Sequence, residues 1–134
     1  LALDRLEIGN VRVVLQDAVE VLFHRFTEHS LDAVLIYFPD PWPKKRHHKR
    51  RILRPDFLHN LASCLNPTGS LHIATDCSHY GKAILECIAL EPLLTKLVPP
   101  DQGVEPLDQR TITKYEAQGI ERGRPILDIL AQRA

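Results

Sequence analysis

Residues 11–38, VRVVLQDAVEVLFHRFTEHSLDAVLIYF, decide the fold class. VRVVLQD at 11–17 and DAVLIYF at 32–38 are short apolar runs rich in β-branched and aromatic residues, the composition of strands buried on both faces. Between them Val19, Leu22, Phe23 and Phe26 recur at helical spacing, and Asp17 stands where a helix cap belongs. The stretch therefore reads as strand, helix, strand.

The same alternation continues downstream. Pro55 suits the first turn of a helix, and Phe57, Leu58, Leu61, Ala62 and Leu65 give it an apolar face before Asn66, Pro67 and Gly69 stop it. SLHIATD at 70–76 reads as a third strand, and a third helix is expected over roughly 79–90. Strands alternating with crossover helices imply an α/β fold with a doubly wound, mostly parallel sheet. Beyond Pro92 the pattern loosens: Pro99, Pro100, Gly103 and Pro106 mark a loop ahead of TITKYEAQGIERG, and ILDIL at 126–130 is expected to add an edge strand.

The chain has 134 residues, 44% hydrophobic and 25% charged, values that fit one soluble domain over 1–134. It starts at Leu1 and contains no methionine, so it is read as a fragment of a longer protein. No stretch approaches the ~20 apolar residues of a membrane span, and nothing near Leu1 resembles a signal peptide, which predicts a cytoplasmic location without a membrane partner. Cys64, Cys77 and Cys87 are odd in number and lack CxxC spacing, which argues for reduced thiols rather than disulfides or zinc.

The net charge is zero, but its distribution is uneven. Seven Lys or Arg residues and no acid lie between Lys44 and Arg54, which leaves ten bases against seventeen acids elsewhere, a net −7 for the remainder. A concentrated basic segment on an otherwise acidic protein can hold a polyanion at one place while the rest orients it by repulsion. His47 and His48 within that segment have no neighbouring Cys or carboxylate, so no metal site is expected there.

In α/β sheets ligands bind beyond the carboxyl ends of the strands. The first predicted strand ends at Asp17, the second runs into FPDPWPKKRHHKRR, and the third ends at Thr75 and Asp76, so three acids would line one rim. A strand-terminal Asp equally well caps the next helix, and position alone does not separate the two roles at Asp17. The second segment is more specific. Pro39, Pro41 and Pro43 each follow a residue that proline pushes toward extended geometry, namely Phe38, Asp40 and Trp42. Such a loop is stiffened in advance, which suits a carboxylate that positions a planar base beside Trp42.

FPDPWPKKRHHKRRI at 38–52, ATD at 74–76 and TKYE at 113–116 together resemble, in wording and in order, the bacterial tRNA (guanine-N7-)-methyltransferase family. The resemblance spans nearly the whole chain. It implies a class I (Rossmann-like) methyltransferase fold, S-adenosylmethionine as cofactor, and methylation of guanine N7 in the variable loop of tRNA by a monomer or homodimer. On the matching motifs, Asp40 corresponds to the catalytic aspartate, Asp17 and Asp40 to cofactor-binding positions, and Lys44, Asp76, Thr113, Lys114, Tyr115 and Glu116 to substrate-binding positions. Arg46, His47, His48, Lys49, Arg50 and Arg51 correspond to the tRNA-contacting segment. The family's glycine-rich loop and its first two strands would precede Leu1, and the six glycines present form no GxGxxG. The alternative for the chain by itself is a non-catalytic RNA-binding remnant of such an enzyme.

Overall fold

A computed structural model describes residues 2–97, 117, 122–123 and 125–134. The elements run in the order α1 (Ala2–Arg5), α2 (Ala18–Arg25), β1 (Leu31–Tyr37), a 3-10 helix (Lys45–Arg50), α3 (Pro55–Cys64), β2 (Leu65–Thr75), α4 (Ser78–Leu90), β3 (Leu94–Lys96) and β4 (Leu127–Arg133).

Among the described residues four strands form one sheet in the order β1-β2-β4-β3. β1 and β2 are parallel, with α3 as their crossover, and Tyr37 stands opposite Ala74 at their carboxyl ends. β4 runs antiparallel to both β2 and β3. Among the described residues the sheet is thus mixed, with one parallel and two antiparallel pairings, rather than mostly parallel. Nor is ILDIL an edge strand: β4 lies between β2 and β3, and the three-residue β3 forms the edge.

On one face Val34, Ile36, Leu71, Ile73, Ile129 and Ala131 join the apolar sides of α3 and α4 in the core, which contains Leu58, Leu61, Tyr80, Ile84 and Ile88. The helices form for the anticipated reasons. Pro55 occupies the first turn of α3, where the missing N–H costs nothing, and Phe57, Leu58, Leu61 and Ala62 are buried at helical spacing. β2 begins earlier than expected, at Leu65, because residues 66–69 bulge out of register between the Leu31–Leu65 and Ala33–Ser70 pairs. Gly69 permits this bulge: a Cβ there would lie 2.8 Å from the Asn66 carbonyl oxygen.

The clearest departure from the sequence reading lies at residues 11–17, which form no strand. Val13 and Leu15 are exposed to 75% and 99%. A strand exists only through a ladder to a neighbour, and among the described residues no strand pairs with this segment or with the outer edge of β1. An open apolar cavity of about 600 Å³ instead runs along β1, lined in part by Val14, Val21, Leu22, Leu35 and Ile36. No helix among the described residues is long and apolar enough to cross a membrane.

Candidate active site and nucleic-acid interface

The carboxyl ends of β1 and β2 are adjacent, so Asp40, three residues past Tyr37, and Asp76, two past Ala74, leave the sheet at the same rim. Asp40 is exposed and Asp76 partly buried. Asp17 is the N-cap of α2: its Oδ1 accepts the Val19 N–H at 2.8 Å. It also borders a cleft of about 270 Å³ whose other walls include Lys49, Arg50, Arg51 and Arg54. The capping role and a place beside the basic segment therefore coexist. Thr113, Lys114, Tyr115 and Glu116 lie outside the described residues.

The loop that carries Asp40 is not extended throughout. Phe38 and Trp42, each followed by proline, have φ of 52° and 42°, in the left-handed region. Bulky residues occupy that region at a cost on the order of 1–3 kcal/mol each, and only where the surroundings over-determine the conformation. Those surroundings are visible. The Phe38 N–H donates to the Ala74 carbonyl at 2.8 Å, carrying the β1–β2 ladder one residue beyond Tyr37. The Pro41 carbonyl accepts from Arg51 Nε at 2.6 Å, and the Pro43 carbonyl lies 3.3 Å from His48 Nε2. The Trp42 ring is held by the Arg50 guanidinium, 5.0 Å from its centroid, and by the edge-on His47 ring at 5.8 Å. Proline alone would favour extended geometry, and these contacts override it.

The basic run folds as the 3-10 helix and divides by direction. Lys44, Lys45, Arg46, Lys49 and Arg50 are exposed, while His47 and His48 are partly buried against the loop. Arg51, 6% exposed, is set apart from the other cations. Besides Pro41 it bonds His79 Nδ1 through Nη2 at 3.2 Å, and its guanidinium carbon lies 4.6 Å from the centre of the Tyr80 ring.

Sequence reasoning missed Tyr80, His79 and a part-buried polar chain across the sheet. Tyr80 is fully buried, and its hydroxyl accepts the Leu53 N–H at 3.0 Å. In the chain, His72 on β2 joins the Tyr37 hydroxyl at 3.0 Å through Nδ1 and the Asp128 carboxylate at 2.8 Å through Nε2. The alternation of strand residues places His72 on a sheet face, but only the pairing of three strands reveals its partners.

Burial pushes the Tyr80 phenol above its ordinary value of 10.0, against the opposing pull of the Leu53 hydrogen bond and of Arg51. Below pH ~10 the phenol is neutral whether the chain is folded or unfolded. Above it, the unfolded phenol ionises while the buried one keeps its proton, so the unfolded state gains and stability falls as pH rises. Denaturant midpoints measured between about pH 9 and about pH 11 are expected to decline less steeply in Tyr80→Phe than in the unaltered protein.

A model of the family described as "Putative methyltransferase" matches residues 2–129. The chain belongs to that methyltransferase family. Curated relatives include a tRNA (guanine-N(7)-)-methyltransferase of Cupriavidus pinatubonensis, 44% identical over 97% of this chain and 51% of its own. One of the same name from Corynebacterium diphtheriae is 45% identical over 98% of this chain and 51% of its own. The chain thus spans about half the length of the curated relatives it matches. Among solved structures, an rRNA methylase from Streptococcus thermophilus superposes with a TM-score of 0.56 at 16% identity, covering 98% of this chain and 63% of its own. That likeness establishes the class I, Rossmann-like methyltransferase fold, and the resemblance carried by residues 38–52 is borne out at the level of the family.

Proposed function

We propose that this chain forms the acceptor side of a methyltransferase that uses S-adenosylmethionine to methylate guanine N7 in the variable loop of tRNA. The observation that carries the reading is the clamped loop: one strained segment presents Asp40 beside Trp42 and leads directly into a helix whose exposed face is cationic.

The donor supplies an electrophilic methyl group on a sulfonium. The chain's own residues fit part of a site for it: Asp17 and Asp40 are both exposed and can accept hydrogen bonds from the donor's hydroxyl or ammonium groups. Guanine N7 has a lone pair and no proton, so the reaction requires alignment more than a base, and a rigid loop supplies alignment. As the methyl group arrives, positive charge develops on the purine, and Asp40 opposes it with a fixed negative charge or holds the guanine edge. Lys44 and Asp76, with Thr113–Glu116 by the motif match, complete the guanosine site. Lys45, Arg46, Lys49 and Arg50 take phosphates, with His47 and His48 alongside. The cytoplasm, where tRNA is found, is the place of action.

The atom acted on can be tested with tRNA in which 7-deazaguanine replaces guanine. The natural full-length protein is expected to transfer labelled methyl groups to ordinary tRNA and none to the substituted one. Equal incorporation into both would overturn N7 as the acceptor.

A further inference from the structure

Arg51 belongs by sequence to the basic run and borders the same cleft as Lys49, Arg50 and Arg54, yet it is buried, and two of its three guanidinium nitrogens are engaged within the protein. Nε donates to the Pro41 carbonyl, Nη2 donates to His79 on α4, and the planar group lies over the ring of Tyr80, itself anchored to the backbone of Leu53. Pro41 lies between Asp40 and Trp42, and Trp42 has a left-handed φ. A strained residue stays strained only while something opposes its relaxation. The fork of donors on Arg51 ties the peptide on its N-terminal side to a helix rooted in the core, a bridge that a lysine, with one compact ammonium, does not reproduce.

We infer that Arg51 is a positioning residue that holds the Asp40 loop in its reactive shape and takes no phosphate, unlike the exposed cations preceding it. The strut stands on geometry alone, and the absence of a phosphate contact follows from the burial of Arg51 and the engagement of its Nε and Nη2. The consequence for methyl transfer rests on the function proposed above. A misplaced loop should show as a loss of roughly a hundredfold in kcat, with much smaller changes in KM for tRNA.

The test uses the full-length protein labelled with 5-fluorotryptophan, with the Trp42 fluorine resonance assigned by its loss in Trp42→Phe. Arg51→Lys keeps the positive charge and removes the fork. It is expected to shift or broaden the Trp42 resonance, to lower kcat, and to leave the salt dependence of tRNA binding unchanged. His79→Ala removes an anchor of the strut without altering the basic run, and is expected to move the same resonance should Arg51→Lys fail to fold. Arg46→Gln is the contrasting variant: its slope of log affinity against log salt should fall by about 0.7–0.9, the value of one phosphate, with Trp42 unmoved.

A Trp42 resonance that stays in place in Arg51→Lys, or in His79→Ala where the former does not fold, would overturn the inference. So would a salt slope reduced by one phosphate in a folded Arg51→Met protein. Failure of the unaltered protein to methylate tRNA would instead overturn the proposed function, while the fluorine and salt measurements would still decide whether the strut exists.

Discussion

Asparagine in place of Asp40 is expected to lower single-turnover methyl transfer by roughly 10²–10³-fold, with tRNA affinity unchanged within about twofold. The substitution is nearly isosteric and removes the charge alone. Asp40 is exposed at the strand rim, outside the apolar core, so its replacement should leave the fold intact. If its carboxylate opposes positive charge that appears only as the methyl group reaches N7, then with the donor saturating the loss falls on the chemical step and not on tRNA binding. Rapid-quench measurement with enzyme in excess over tRNA separates the two. Unchanged single-turnover transfer with normal tRNA binding would remove Asp40 from the mechanism.

The second large effect is electrostatic. Replacing Lys45, Arg46 and Lys49 together by glutamine should weaken tRNA binding on the order of ten- to a hundredfold at physiological salt and reduce its salt slope by about 2–3. These three side chains are exposed on the 3-10 helix, where each can reach a phosphate with little desolvation. Outside Lys44–Arg54 the chain carries a net −7, so within it only the remaining cations of the same run offset the loss. Filter binding or fluorescence titration across a salt series reads both quantities. An unaltered slope would show that the run does not grip the backbone of tRNA.

The features most legible in the sequence are those whose causes are local. Pro55 and the buried spacing of Phe57, Leu58 and Leu61 predicted α3, and Asp17 capped α2 as its position implied. The basic run and the three prolines located the candidate site because composition and order carry that signal without tertiary contacts. Residues 11–17 show the limit: apolar, β-branched residues favour a strand, but a strand also requires a partner edge, which local sequence does not supply. The placement of ILDIL inside the sheet likewise depends on β2 and β3, both distant in sequence.

The loop illustrates the same limit at finer scale. Pre-proline sterics predicted extended backbone at Phe38 and Trp42, and the contacts of Ala74, Arg51, Arg50 and His47 impose another geometry. A run of seven cations does not reveal which one folds inward. Only the position of α4, with His79 and Tyr80 in its first turn, distinguishes Arg51 from its neighbours.

Mapping the product of the natural full-length protein on tRNA decides whether guanine N7 is the acceptor. After incubation with S-adenosylmethionine, borohydride reduction and aniline cleavage break the chain wherever a guanosine carries a 7-methyl group. One new cleavage is expected, at a guanosine of the variable loop, and it is expected to disappear with Asp40→Asn. Cleavage at no guanosine, despite tight tRNA binding, would contradict methylation at guanine N7.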